Sequence, residues 1–167
     1  MSAISGETAG FLQGVVNPRL IFTAVPSGSV EEVLTDLSRR LQSAGAVRDA
    51  ADLSRRLLER ERLGCTGLGA GIAIPHCKLK ELDVIVLAVA SCPAGVDFRA
   101  PDGVPVTLIF LTLSPAEAPA LHLQALARIS RLLKTQGVAD ALRRAVTPEE
   151  LFATMKEAES AISAVRS

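Results

Sequence analysis

The segment that decides the fold is Gly67-Leu68-Gly69-Ala70-Gly71-Ile72-Ala73-Ile74-Pro75-His76-Cys77. It is a glycine-rich loop that leads into a short apolar strand, and the strand stops at Pro75 and presents His76. The chain has only two histidines, and this one stands where a strand end fixes the backbone. An imidazole can gain and lose a proton, or a phosphoryl group, near neutral pH, so His76 is the first candidate for chemistry.

The sequence on both sides of this segment predicts the class of fold. Short apolar runs rich in β-branched residues predict buried strands at 72–74, 84–90 and 104–113. Apolar residues at helical spacing, opened by capping sequences or ended by glycines, predict helices. These predicted helices cover residues 29–44, about 48–62, 114–133, about 138–145 and a last stretch from residue 147.

This order of elements predicts one α/β domain over residues 18–164, a mixed β-sheet flanked by helices on both faces. Three of the predicted helix starts have the pattern of a capping box, in which a hydroxyl and a carboxylate three residues apart each bond the other's free amide. They are Ser29–Glu32, Ser114–Glu117 and Thr147–Glu150. Residues 1–17 are rich in small residues without a sustained period, and they are predicted to form a loosely ordered N-terminal arm.

Composition excludes several kinds of partner. The 18 basic and 18 acidic residues cancel, so no overall field favours nucleic acid or an anionic membrane. Trp and Tyr are absent, which counts against stacking on bases or sugar rings. The longest apolar run is shorter than the roughly 20 residues that span a bilayer. Three cysteines without a paired spacing fit a reducing compartment, and the first 15 residues do not resemble a signal peptide. A cytoplasmic location without membrane insertion is therefore expected.

The glycine loop does not match a nucleotide-binding motif. A dinucleotide fingerprint follows a strand and opens a helix, whereas here a helix precedes the loop and a strand follows it. No G-K-[ST] of a P-loop is present. Two interpretations stay open: a turn whose glycines permit unusual backbone angles, or a loop that lets a phosphate or a partner's backbone approach His76.

A metal site is not predicted. Adjacent ligands such as His76 and Cys77 fit a tetrahedral site poorly, and no paired ligand spacing recurs. The cysteines are better explained as small buried or idle thiols. A Cys–His nucleophilic pair has no support beyond adjacency.

His122 and Arg60 each have a structural and a functional interpretation. His122 shares a helix face with Leu126, Ile129 and Leu133, so spacing alone favours a buried, hydrogen-bonded histidine. A helix start also favours negative charge, which suits a histidine that helps to hold phosphate. Arg60 belongs to a charged helix face of the usual solvated kind, yet it precedes the loop and its planar guanidinium suits a phosphate.

Together these residues resemble a known family. The run Glu61-x6-Leu68-Gly69-x-x-Ile72-Ala73-Ile74-Pro75-His76-Cys77 is similar to the active-site signature of type 2 enzyme IIA domains of the bacterial phosphoenolpyruvate-dependent phosphotransferase system, in its fructose/mannitol and nitrogen-regulatory branch. Further similar segments lie at 63–69, 96–106, 121–123 and 147–151, so the resemblance covers nearly all of residues 18–160.

The resemblance implies the mannitol-type enzyme IIA fold and a phosphoryl carrier that needs no metal and no cofactor. His76 is then the phosphoryl acceptor, His122 supports the site, and Arg60 neutralises the phosphate charge. The loop with Thr66, Gly67 and Gly69 is the predicted phosphate-binding loop. The implied donor is the histidine-containing phosphocarrier protein, and the implied acceptor is a IIB component or a regulatory target protein.

The same resemblance allows a function of another class. A nitrogen-type IIA is an interaction module that binds and controls target proteins according to its phosphorylation state, without sugar transport. No segment with the features of a IIB or IIC component is recognised in these residues, and this favours the regulatory alternative.

Overall fold

Two long antiparallel strands form the centre of the fold, seen here in a computed structural model that describes residues 11–165. The helices are α1 (Phe11–Val15), α2 (Val30–Ser43), α3 (Ala50–Leu63), α4 (Pro119–Lys134), α5 (Val138–Arg144) and α6 (Pro148–Val165). The strands are β1 (Val16–Phe22), β2 (Gly67–Gly69), β3 (Ile72–Ala73), β4 (His76–Leu79), β5 (Val86–Val96) and β6 (Val106–Pro115).

The described strands form one mixed sheet, as predicted. Its order is β1-β5-β6-β3-β2, and β4 also pairs with β6. β5 and β6 run antiparallel, whereas β1 lies parallel to β5, and both β3 and β4 lie parallel to β6. The short β2 returns antiparallel to β3.

Helices cover both faces of the sheet, which confirms the prediction. One apolar core joins the sheet to α2 and α3, with Leu34, Leu37, Leu53 and Leu57 almost completely buried. A separate core joins the other face to α1, α4, α5 and α6. Each core is built mainly from branched aliphatic side chains, and their removal from water is the main stabilising contribution.

The strand that carries the signature is interrupted at its proline. β3 and β4 pair with consecutive parts of β6, since Ile72 lies opposite Leu108 and His76 lies opposite Thr112. Pro75 has no amide hydrogen to give to the ladder, but its carbonyl accepts the Thr112 amide at 2.9 Å. The histidine therefore begins a new strand rather than following one, and β4 was not predicted.

The helix predicted from Ser114 begins later than expected. Ser114 and Pro115 are the last residues of β6, paired with Lys78 and Leu79 of β4. α4 starts at Pro119, and its N-cap residue Ala118 makes no side-chain cap. Strand pairing thus overrides the local capping pattern, because it buries Ser114 completely.

The predicted N-terminal arm is wrong for residues 11–17. α1 occupies 11–15, and β1 begins at Val16 and runs through Pro18. A proline is tolerated there because β1 is an edge strand, and its pairing with β5 is irregular between Val16 and Ile21. Residues 1–10 of the predicted arm lie outside the described residues.

No helix within residues 11–165 combines the length and the apolar character needed to span a bilayer.

Two glycines near the β5–β6 connection offer a matched test of packing. Gly95 and Gly103 both have positive φ, +80° and +71°. A Cβ at Gly95 would lie 2.8 Å from Cβ of Pro105, whereas a Cβ at Gly103 meets nothing within 4 Å. We expect Gly103→Ala to cost about 1–2 kcal/mol of unfolding free energy from backbone strain. Gly95→Ala should cost a further ~1–3 kcal/mol from overpacking. Urea unfolding measures both, and equal midpoints for the two variants would contradict the prediction.

Candidate functional site

The His76 ring is held in one tautomer by the backbone. Its Nδ1 lies 2.8 Å from the carbonyl oxygen of Ile74. A carbonyl oxygen can only accept, so Nδ1 carries the proton and Nε2 carries the lone pair. Arg60 Nε donates to that lone pair at 3.2 Å. The ring therefore presents a directed nitrogen nucleophile next to a fixed positive charge.

His76 is neutral at physiological pH. Partial burial lowers the pKa of His76 below its ordinary value, and the charges of Arg60 and Lys78 act in the same direction. The bond to the Ile74 carbonyl and the charge of Glu61 oppose this shift only in part. A neutral imidazole is the nucleophilic form, so burial keeps the ring reactive.

Arg60 approaches His76 from the last turn of α3. Besides its contact with the imidazole, its Nη1 donates to the carbonyl oxygen of Gly64 at 2.9 Å, which anchors the guanidinium over the helix end. Other arginines of α3 do form the solvated charged face that their spacing indicates. Arg55, for example, pairs with Asp52 and Glu59 at the surface.

His122 is buried and also faces His76. It lies in the first turns of α4, is 6% exposed, and its Nδ1 is 2.7 Å from Oγ of Ser114. The two ring centroids are 5.2 Å apart, with the planes tilted by 53°. Burial, followed by the neighbouring charges of His76, Lys78 and Arg60, lowers the pKa of His122 to about 4. The structural and the functional interpretation of this histidine are therefore compatible.

The site is formed where elements from both faces of the sheet meet. α3 packs on one face and supplies Arg60, whereas α4 packs on the other and supplies His122. They meet at β4, whose strand partner in the described chain is β6 alone. Because β4 is an edge here, side chains from either face can reach the His76 ring.

A carboxylate that the sequence left without a role supports this arrangement. Glu61 accepts from the amide of Thr66 at 2.9 Å and from its hydroxyl at 2.6 Å. The carbonyl of Thr66 in turn accepts from the amide of Ile74 at 3.0 Å. Glu61 thus holds the segment whose Ile74 carbonyl fixes His76. These contacts, here called the Glu61–Thr66 clamp, use both the amide and the hydroxyl of Thr66 as donors.

The other two predicted loop residues, Gly67 and Gly69, belong to β2. The amide of Gly67 bonds Sγ of Cys65 at 3.2 Å. Gly69 lies opposite Ile72. Ile72 precedes His76 by four residues, which corresponds to roughly 13 Å along a strand. Its positive φ of +88° serves the β2–β3 turn. The structure therefore favours a turn function at Gly69 and does not bring it to His76.

The cysteines do not join the site. Cys77 points to the core of α2 and α3, and burial raises the pKa of its thiol to about 12. A thiol in that state is a poor nucleophile. Within residues 11–165, no group of three or more His, Cys, Asp or Glu side chains is arranged to hold a metal ion.

Comparison with known families gives one match over most of the chain. The family described as "Phosphoenolpyruvate-dependent sugar phosphotransferase system, EIIA 2" matches residues 15–158. This match includes both histidines, Arg60 and the Glu61–Thr66 clamp.

Individual proteins show the same similarity. A "Nitrogen regulatory protein" of Pseudomonas aeruginosa is 39% identical over 141 residues, which are 84% of this chain and 92% of that protein. The crystal structure of the nitrogen regulatory protein IIA-Ntr from Neisseria meningitidis has a TM-score of 0.78 at 30% identity, covering 85% of this chain and 97% of the other. The crystal structure of IIA mannitol from Escherichia coli has a TM-score of 0.67 at 21% identity, covering 84% and 98%. The last comparison confirms the predicted mannitol-type fold.

The lowered pKa of His122 predicts a pH-dependent stability. The unfolded chain protonates this histidine near its ordinary pKa of 6.5, whereas the folded protein resists protonation until about pH 4. Stability is therefore complete above pH 6.5 and falls as the pH decreases towards 4, by roughly 2–3 kcal/mol for this group.

Urea unfolding of the wild type and of His122→Gln at pH 7.5 and pH 5 measures this contribution. The difference between the two proteins should change with pH in favour of the variant at pH 5. The same difference at both pH values would show that His122 titrates normally.

Proposed function

The chain belongs to the EIIA 2 family of the phosphoenolpyruvate-dependent sugar phosphotransferase system, and we propose that it carries a phosphoryl group on Nε2 of His76. One observation carries the assignment of the atom: the Ile74 carbonyl binds the Nδ1 proton, so Nε2 is the unprotonated nitrogen of the ring. The neighbouring Arg60 and His122 are the groups available to bind the negatively charged phosphoryl oxygens.

The proposed step is an in-line transfer between two histidines. The lone pair of His76 Nε2 attacks the phosphorus of a donor phosphohistidine, and a new N–P bond forms while the donor's N–P bond breaks. The electron pair of the broken bond returns to the donor nitrogen, and the donor, protonated at its other ring nitrogen, leaves as a neutral imidazole. The Nδ1 proton stays on His76 and remains bound to the Ile74 carbonyl. Positioning and charge neutralisation supply most of the acceleration in such a transfer.

The transferred group brings close to two negative charges. Arg60 Nε, which donates to Nε2 in the free protein, can donate to a phosphoryl oxygen once Nε2 is bonded to phosphorus. Its planar guanidinium suits such an oxygen geometrically. His122 is neutral and lies against the His76 ring, so it can donate a hydrogen bond without adding a second positive charge.

The partners follow from this assignment. We propose the histidine-containing phosphocarrier protein as donor, and a IIB component or a regulatory target protein as acceptor. The protein acts in the cytoplasm, where these partners are found. Phosphoryl transfer between this protein and each partner needs only a small, transient interface.

Phosphorylation in vitro tests the proposal. Incubation with phosphoenolpyruvate, enzyme I and the phosphocarrier protein should give an acid-labile, base-stable phosphoryl adduct, detected by intact-protein mass spectrometry. The adduct should be absent in His76→Ala. An adduct that persists in this variant would contradict the assigned acceptor.

Arginines of α3 provide a matched control for the role of charge. Arg60→Ala should slow phosphoryl acceptance on the order of 10²-fold, as expected when a donor to a developing anion is removed. Arg55→Ala removes a guanidinium from the same helix that pairs only with surface carboxylates, and it should leave the rate unchanged. Equal rates for the two variants would contradict the role of Arg60.

A regulatory function is the second candidate, and one observation favours it. The 39% identical relative from Pseudomonas aeruginosa is named a nitrogen regulatory protein. In this function, phosphorylation of His76 switches the binding of a target protein, without sugar transport.

Affinity capture with phosphorylated wild type, unphosphorylated wild type and His76→Ala distinguishes the two functions. A protein outside the phosphorelay that is retained by only one phosphorylation state, with His76→Ala behaving as the unphosphorylated form, supports regulation. Phosphoryl transfer to a IIB component with no such state-dependent partner supports transport instead.

A further inference from the structure

A buried serine contacts the second histidine of the site. Ser114 is the penultimate residue of β6, is completely buried, and places Oγ 2.7 Å from Nδ1 of His122. The sequence pattern predicts a helix cap at Ser114, which the structure does not form, and the phosphoryl transfer proposed above gives this hydroxyl no role. Its position against a site residue raises the question of which of the two atoms carries the hydrogen.

The surroundings of Ser114 decide the direction of the bond. Within the described part of the chain, His122 Nδ1 is the sole hydrogen-bond partner of the Ser114 hydroxyl. If Nδ1 were the donor, the buried hydroxyl hydrogen would have no acceptor, which is an arrangement that folded proteins avoid. Thr112, two residues earlier in β6 and also buried, donates its hydroxyl to the carbonyl of Phe110 at 3.3 Å. Ser114 therefore donates to Nδ1, and the proton of the neutral His122 ring is on Nε2.

This tautomer matches what a phosphoryl group requires. Nδ1 is occupied by Ser114, so Nε2 is the one polar atom of the His122 ring that remains for a ligand. Phosphoryl oxygens only accept hydrogen bonds, and a lone pair at Nε2 would repel them. With the hydrogen on Nε2, His122 is a donor, while His76 presents its Nε2 lone pair. At Nε2, the His122 ring thus carries a hydrogen whereas the His76 ring carries a lone pair.

We propose that Ser114 is a positioning residue that fixes the His122 tautomer and ring orientation, so that His122 Nε2–H binds an oxygen of the phosphoryl group carried by His76. This role rests on the phosphoryl transfer proposed above, but the hydrogen bond itself can be measured without it. The burial of both side chains keeps the arrangement in place before a donor arrives, so the site is preorganised.

Nitrogen-15 NMR of the unphosphorylated wild type is the first test. The neutral His122 ring should show a protonated Nε2 and an unprotonated, hydrogen-bonded Nδ1, whereas His76 should show the reverse. A protonated Nδ1 on His122 would overturn the proposal without any variant. In Ser114→Ala, the His122 Nδ1 resonance should shift because its hydrogen bond is lost.

The rate of phosphoryl acceptance is the second test. Ser114→Ala should slow acceptance at His76 about 10-fold, the effect of losing one buried hydrogen bond that orients the site. Ser38→Ala is the matched control, since Ser38 is an equally buried serine that donates to the Leu34 carbonyl within α2. It should leave both the rate and the His122 resonances unchanged.

The outcomes separate the two proposals. A wild-type rate in folded Ser114→Ala overturns the role of Ser114 while leaving His76 as the acceptor. No phosphoryl adduct on the wild type contradicts the proposed function and, with it, the role of Ser114 in transfer. If Ser114→Ala does not fold, the wild-type tautomer alone decides.

Discussion

The hydrogen bond between His76 Nδ1 and the Ile74 carbonyl is the interaction on which the site depends. It exists because Pro75 interrupts the strand, so that the Ile74 carbonyl is available to a side chain two residues later. The Glu61–Thr66 clamp then holds Ile74 by its amide. One break in a parallel strand thus determines which ring nitrogen can react, and elements on either side maintain it.

The positive charge in direct contact with the nucleophile is limited to one guanidinium, which suits the proposed phosphoryl group. Both imidazoles are kept neutral, His122 most strongly, and the guanidinium of Arg60 is the charge in direct contact with the nucleophile. A second full charge at His122 would bind the phosphoryl group more tightly and oppose its departure. A neutral donor suits the proposed carrier function, because the phosphoryl group must leave as readily as it arrives.

Much of the fold follows from local sequence rules. The capping boxes at Ser29 and Thr147 form as their spacing predicts, and the mixed sheet with helices on both faces follows from the order of elements. The rules failed where tertiary pairing prevails. Ser114 has a good capping pattern yet joins β6, and Pro18 lies in an edge strand that its own sequence disfavours. For the site, the family resemblance names His76, Arg60, His122 and a loop with Thr66. The contacts that Glu61, Thr66 and Ser114 make require the folded chain, since each depends on residues that meet only through packing.

The placement of His76 on an edge strand between two separate cores has a consequence for signalling. The ring is held by the local backbone through the Ile74 carbonyl, so the proposed phosphoryl group changes the electrostatic potential at this edge of the sheet. Under the proposed function, the protein then exists in two forms that differ in the charge at His76. A partner that distinguishes these forms detects a difference in charge at one position, and that difference disappears when the phosphoryl group is transferred.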